Sequence, residues 1–496
     1  MNSYYLTTIM ALPIVALIII AFLPRDKVKA IKYTALIFTL ASFAISIIIF
    51  CLFDRSTAAI GKIQFEEKLP WIPAINCFYH LGVDGLSLPL VILMTFLGFL
   101  SVLVSWKVQL RPREYFIWLL LLETSILGVF CSLDLILFFL FWELELIPMY
   151  FLISIWGSGR KEYSSIKYVI YTLIGSAMML AGILSVYFTT GSFSIMEVAS
   201  KIAIVKPVIP LGAMFFFLFI GFAIKLPMFP LHTWLPDAHT DAPTAVSVIL
   251  AGALLKMGGY GMIRLVVSVL PGVAKQAAPA LAALAIVGVL YGAWVTMRQT
   301  DLKRLIAYSS VSHMGYVLLG IFALTEVSLT GAALQMFSHG IITGLLFAMV
   351  GLVYEKTHER NLNTLGGLAR QMPVIVVVFS IAGLASLGLP GTSGFAAEFI
   401  TFVGCFSSTA FPGIQIYTLL GVVGVVFTAG YILWMLQRAF YGPPLDKYNG
   451  VPDADAVEKV CIFCFVAAIL LVGIYPAILT NVIKLGIEPI TKLIGM

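Results

Sequence analysis

Apolar residues along the chain gather in long runs and do not alternate. Fourteen runs reach spanning length, at 4–23, 31–53, 85–106, 114–131, 134–156, 164–190, 208–239, 243–270, 277–296, 302–322, 328–354, 373–407, 413–440 and 459–481. A bilayer core takes about 20 apolar residues in helical form, so each run predicts one transmembrane helix. The pattern predicts an all-α polytopic membrane protein of about 14 helices. The longest polar connectors, 54–84 and 441–458, leave no room for a separate soluble domain. No small-residue cleavage site follows the first run, which therefore reads as a helix and not as a removable leader.

Two runs are interrupted. The seventh holds "AIKLPMFPLHTWLPDAHT" at 223–240, and the twelfth holds "FSIAGLASLGLPGTSGFAAEFITF" at 379–402. Pro227, Pro230 and Pro236 remove amide donors, and Pro390 does the same among glycines. A broken helix at membrane depth is tolerated only inside protein or beside water. Matching interruptions in two halves predict two inverted five-helix repeats, helices 4–8 and 9–13, with helices 7 and 12 broken. The expected layout is 1–110 for helices 1–3, 111–272 for the first repeat, 273–441 for the second and 442–496 for helix 14.

Composition narrows the class. Of 496 residues, 61% are apolar and 11% charged, against roughly 25% charged in a soluble domain. Nineteen Lys and Arg fall in, or within four residues of, the loops after odd-numbered runs and eight in those after even-numbered runs or in the tail. This bias predicts both termini on the outer, periplasmic side of a prokaryotic plasma (inner) membrane, with a thylakoid-type membrane as the alternative. Cys461 and Cys464 form a CxxC inside an apolar run with no second pair. They read as packing residues, and no metal, iron–sulfur or haem site is expected in this chain. Nor is there a phosphate loop or nucleotide fingerprint.

Ionisable groups within the spans carry the chemistry. They are Glu123, Glu143, Glu145, Lys225, His232, His239, Lys256, Arg264, His313, His339 and Glu398, drawn from seven runs. Such groups are costly in lipid and usually face a protein or water-filled interior. Lys225 follows an apolar run, where a lysine can snorkel, but the prolines after it favour a functional group. Lys256 precedes Gly258, Gly259 and Gly261, which allow close helix approach. His232 and His239 are seven apart, too far for a zinc pair spaced by four. His313 and His339 have hydroxyls nearby, as a hydrated path requires.

The segments "FWELELIPMYFLISIWG", "KLPMFPLHTWLPDAHTDAPTAVSVILAGALLKMGGYGMIR", "RLIAYSSVSHMGYV", "QMFSHGIITGLLF" and "GLPGTSGFAAEF" resemble the antiporter-like subunits of respiratory complex I, which are related to Mrp antiporter subunits. Within that family the chain is similar to the subunit M (ND4) type. Glu398 stands where the L and N types carry lysine, and a chain ending at 496 lacks the L type's long lateral helix. The resemblance implies a proton-translocating membrane subunit of a redox-driven NADH- or ferredoxin-quinone oxidoreductase. The alternatives are an Mrp-type Na+/H+ antiporter subunit and a membrane-bound hydrogenase subunit. It implies a proton path through Glu143, Lys225, Lys256, His313, His339 and Glu398, with Glu123, Glu145, His232, His239 and Asp134 as accessories. FMN, iron–sulfur clusters and quinone would belong to partner subunits. The partners would be lipids and L-, N- and K-type membrane-arm subunits, including the L type's lateral helix.

Energetics suit that role. Bringing a lysine from its usual 10.4 to about 7 takes ~4.6 kcal/mol, close to the ~4.6 kcal/mol needed to move one charge against about 200 mV. A lysine paired with a carboxylate that can move away spans that range. Glu143 and Glu145 project about 200° apart on a continuous helix, so only one is expected to meet Lys225. The expectation is Glu143. Asp134, eleven residues before Glu145, would share a wetter or subunit-facing side with it.

Overall fold

The computed structural model describes residues 4–495, and most of them are helical. Helices α1 (Tyr5–Phe22) and α2 (Val28–Leu52) lead into a hairpin of β1 (Gln64–Ile72) and β2 (Cys77–Val83). Then come α3 (Ser87–Val104), α4 (Pro112–Cys131), α5 (Leu135–Leu144), α6 (Leu146–Trp156), α7 (Lys161–Thr190) and the short α8 (Ile195–Ile202). The seventh run becomes α9 (Leu211–Lys225) and α10 (Trp234–Asp241), and the eighth becomes α11 (Thr244–Ile249) and α12 (Leu255–Gly261). After α13 (Pro271–Met297), α14 (Leu302–Phe322) and α15 (Glu326–Thr357), the twelfth run splits into α16 (Pro373–Ser386) and α17 (Ser393–Phe406). Helices α18 (Ile414–Ala439), α19 (Ala456–Ile474) and α20 (Ala477–Leu493) complete the chain.

Among the described residues, twelve helical segments are long and apolar enough to cross a membrane. The runs at 208–239 and 373–407 are instead broken in two, where the prolines and glycines placed the breaks. The purely helical reading needs two corrections. The polar stretch 54–84 contains an antiparallel hairpin, with Glu67 opposite Leu81 and Lys68 opposite His80. The residues after 481 continue α20, which begins after Pro476 and is amphipathic.

Central and peripheral helices differ in burial. The stretch Thr244–Val267 is wholly buried and α14 and α15 nearly so, while about a third of α1, α2 and α19 is buried. Thr244–Val267 also contains π turns at Leu250–Leu254 and Met262–Val267, a widening that often marks functional sites. Lys256 sits on the α-helical segment between them.

The hairpin gathers both ends of the chain on one face. The Glu67 carboxylate accepts from the amides of Leu6 (2.8 Å) and Thr7 (3.1 Å). The Gly61 amide donates to the Leu485 carbonyl at 3.2 Å. On the opposite face Lys107 pairs with Glu355 (2.7 Å), Asp455 (3.0 Å) and Glu458 (2.6 Å), tying the ends of α3 and α15 to the start of α19.

Candidate functional site

Pro148 has no amide hydrogen, so the Leu144 carbonyl loses its helical partner and the fifth span breaks at Glu145, between α5 and α6. Glu145 forms an ion pair with Lys225, and the two side chains are 0% and 1% exposed. Tyr168 on α7 donates to Glu145 Oε2 at 2.5 Å, and Lys225 Nζ donates to Tyr168 Oη at 3.1 Å. The ring of Trp142 lies 5.5 Å from the ammonium.

This corrects the expected pair, because Glu145 meets Lys225 and Glu143 does not. Glu143 is half-buried beside Ser176, and its Oε1 lacks a hydrogen-bond partner. Both carboxylates reach α7, at Tyr168 and Ser176, about two turns apart. The one at the break reaches the lysine. Asp134 is also reassigned, since it caps α5 by accepting from Ile136 (2.9 Å) and Leu137 (3.3 Å). With Asp134 at 1% and Glu145 at 0% exposure, no wet face joins them.

The break after Lys225 is closed by side chains. Trp234 Nε1 donates to the freed Ile224 carbonyl at 2.9 Å. Gly258 lets the eighth span approach, since a Cβ there would stand 2.6 Å from the Leu226 nitrogen. At the far end of α10, four successive carbonyls are capped from four directions. His239 accepts from Ser247 Oγ (3.2 Å), Thr240 from Arg360 (3.0 Å), Asp241 from the Ser158 amide (2.8 Å) and Ala242 from Lys303 Nζ (2.6 Å). Two of these donors are cations, which the negative end of a helix favours.

The eighth, tenth, eleventh and twelfth spans share a second polar cluster. Lys256 Nζ donates to the Ala251 carbonyl in the π turn and lies 2.8 Å from His339 Nδ1 on α15. The His339 ring is 5.6 Å, centre to centre, from that of His313 on α14. His313 Nδ1 is 3.2 Å from Glu398 Oε1 on α17, and its Nε2 is 3.3 Å from Ser386 Oγ on α16. A small cavity lined by His313, His339, Ser338, Ser386 and Glu398 lies among them. Lys256–His339 and His313–Glu398 thus form two buried contacts whose imidazoles lie side by side, with no hydrogen bond between them and His339 Nε2 unpartnered.

Three candidates stand outside it. Glu123 is buried against Gly98 with one oxygen unpartnered. His232 packs among Phe229, Tyr291 and Tyr308. His239 stacks on Phe347, with ring centres 4.4 Å apart and both nitrogens unpartnered. Tyr168, Lys303 and Asp84 were not foreseen. Lys303 did carry a signal, because a cation in the first turn of α14 opposes the helix dipole unless another partner holds it.

Among the described residues, no cluster of three or more His, Cys, Asp or Glu is arranged to hold a metal. Ionisable groups buried at membrane depth usually face a protein or water-filled interior and mark transport paths. Broken helices around such groups define an antiporter-like transport subunit. The family model described as "NADH:quinone oxidoreductase/Mrp antiporter, TM" matches residues 132–428. The chain is 43% identical over 481 residues to NAD(P)H-quinone oxidoreductase chain 4 1 of Synechococcus elongatus, covering 96% of this chain and 90% of that one. It is 40% identical to chloroplastic NAD(P)H-quinone oxidoreductase chain 4 of Mesostigma viride, with 99% and 98% covered. A chain of respiratory complex I from Thermus thermophilus superposes with TM-score 0.88 at 28% identity, over 99% of this chain and 100% of that one. An archaeal membrane-bound sulfane sulfur reductase chain shares the fold, with TM-score 0.85 at 22% identity over 99% of each chain. The chain belongs to the NAD(P)H-quinone oxidoreductase chain 4 family.

Proposed function

We propose that this chain moves protons as the chain 4 subunit of a membrane-bound NAD(P)H- or ferredoxin-quinone oxidoreductase whose redox centres lie in other subunits. The buried row Lys256–His339–His313–Glu398 carries the reading. The Glu145–Lys225 pair is the switch. When it opens, the lysine loses its counter-charge and its proton becomes transferable. The close contact of Gly258 with the Leu226 backbone couples the first break to the span that bears Lys256. The π turns give that span room to shift.

Counting each broken run as one crossing gives fourteen spans, which supports two inverted repeats. The positive-inside bias puts the face with both termini outside. The relatives' identities favour the quinone-linked complex over an Mrp assembly. The partners in this reading are the other antiporter-like membrane subunits, and the bilayer is a bacterial plasma or thylakoid membrane. Purification in mild detergent with flavin or iron–sulfur subunits attached identifies the donor branch.

The test is Lys225→Ala in the assembled complex, reconstituted in vesicles. The proton-to-electron ratio is expected to fall well below the parent's at equal complex content. A normal ratio overturns the reading.

A further inference from the structure

The eighth span carries Lys256, Tyr260, Arg264 and Ser268 at four-residue intervals, positions that follow one helix face. Lys256 lies near the middle of Thr244–Val267. The stripe runs from it for about 12 Å to Arg264, toward the face that holds both termini. The Arg264 guanidinium sits 5.6 Å from the Tyr260 ring centre. Ser268 donates to the Arg264 carbonyl.

The stripe is closed at Arg264. That side chain pairs with Asp84, and the two residues are 7% and 5% exposed. Asp84 cannot swing freely, because its Oδ1 accepts from the Leu86 and Ser87 amides at 3.0 Å each, capping α3. The Arg264 Nε has no partner. Beyond the pair, under α20, lies a cavity of about 100 Å³ bordered by Asp84, Arg264, Ser268, Gly486 and Pro489. The ion pair stands at the end of the stripe, with Arg264 and Asp84 both lining this space.

We infer that the Arg264–Asp84 pair is a proton barrier that seals the terminal-face end of the eighth span, so that protons on Lys256 pass to His339. The inference rests on the proton-transport reading above. A guanidinium does not release its proton and cannot serve as a relay. A fixed cation in a narrow polar passage excludes protons and other cations. The carboxylate offsets the cost of burying that charge, and the α3 cap keeps it in place. Without the barrier, Lys256 would face both sides of the membrane and the gradient would discharge through the pump.

The test measures passive leak and needs no turnover. The complex is reconstituted in vesicles without electron donor, a potassium diffusion potential is imposed with valinomycin, and proton flux is followed with a pH dye. Asp84→Asn/Arg264→Gln removes both charges and keeps hydrogen-bonding groups. Its leak is expected to rise about tenfold, the effect of losing ~1.4 kcal/mol of barrier. Arg264→Lys guards against a folding defect in the double variant. It keeps the pair but replaces a fixed charge with one that buried lysines can lose, so its leak is also expected to rise. A purely structural pair predicts that Arg264→Lys stays tight. Assembled complexes of these variants that are as tight as the parent overturn the barrier. Passive leak is independent of the proton-to-electron ratio in Lys225→Ala, so failure of this inference is distinguishable from failure of the proton-transport reading.

Discussion

The two broken helices use one device with different chemistry. At the first, Leu226–Met228 are buried, the freed carbonyl is taken by Trp234, and the amine of Lys225 meets a full carboxylate. At the second, Leu389, Pro390 and Gly391 are exposed, Gly388 and Gly391 turn with φ of +81° and +90°, and the carboxylate of Glu398 meets a histidine. Positive φ suits glycine, which has no Cβ to clash. The first break is enclosed and strongly paired, so it needs a switch to release a proton. The second has its turn at the surface, and its carboxylate faces an imidazole. The difference suits a loading element and a release element.

Breaking the strong pair has the largest expected effect. Glu145→Gln strands Lys225 as an uncompensated buried cation, which typically costs ~3–5 kcal/mol. Coupled quinone reduction in membranes is expected to be nearly abolished at equal complex content on native gels. Glu143→Gln is expected to keep at least half of parental activity, because Glu143 is half-buried and does not touch the lysine. If Glu143→Gln proves the more damaging in assembled enzyme, the pairing is reversed.

The second break is expected to tolerate more. Glu398→Gln replaces a charged contact with a neutral one, and hydrogen bonds to charged groups are worth ~1.5–3 kcal/mol. A roughly tenfold fall in coupled turnover is expected, with Glu398→Lys less impaired than Glu398→Gln because an ionisable group is restored. Wild-type pumping in both variants would remove Glu398 from the release end.

The breaks and the lysine, histidine and glutamate row were legible because proline, glycine and membrane-depth charge are local signals. The partner of Lys225 was not, although Pro148 was in plain view. It interrupts the hydrogen bonding at Glu145 while the backbone stays helical, and helical rotation says that only one of the two carboxylates can meet the lysine without saying which. Asp84 and Arg264 lie 180 residues apart, and no local pattern joins them. Lys303 stands at the very start of the tenth run, where a charge reads as belonging to the adjoining loop, yet it is 5% exposed. The hairpin at 64–83 was hidden by its charged and proline-containing strand, which resembles a linker in composition.

Lys303 sharpens the comparison, because it reaches from the second half of the chain to the first break. It caps Ala242 together with Arg360 on Thr240, and this holds the C-terminal end of α10, three residues beyond His239. Lys303→Met leaves one carbonyl unsatisfied, a loss of ~1–3 kcal/mol, and removes a favourable cation at a helix end, worth ~0.3–1 kcal/mol. Water and the neighbouring Arg360 recover part of this. The assembled variant is therefore expected to keep more than half of its coupled turnover, with reduced thermal stability of the complex. Lys303→Arg, which restores a charged donor, is expected to recover both. A guanidinium caps a carbonyl as well as an amine does, but it cannot pass a proton on. Loss of pumping in Lys303→Arg with full assembly and normal stability would show that Lys303 carries protons and does more than hold the half-helix.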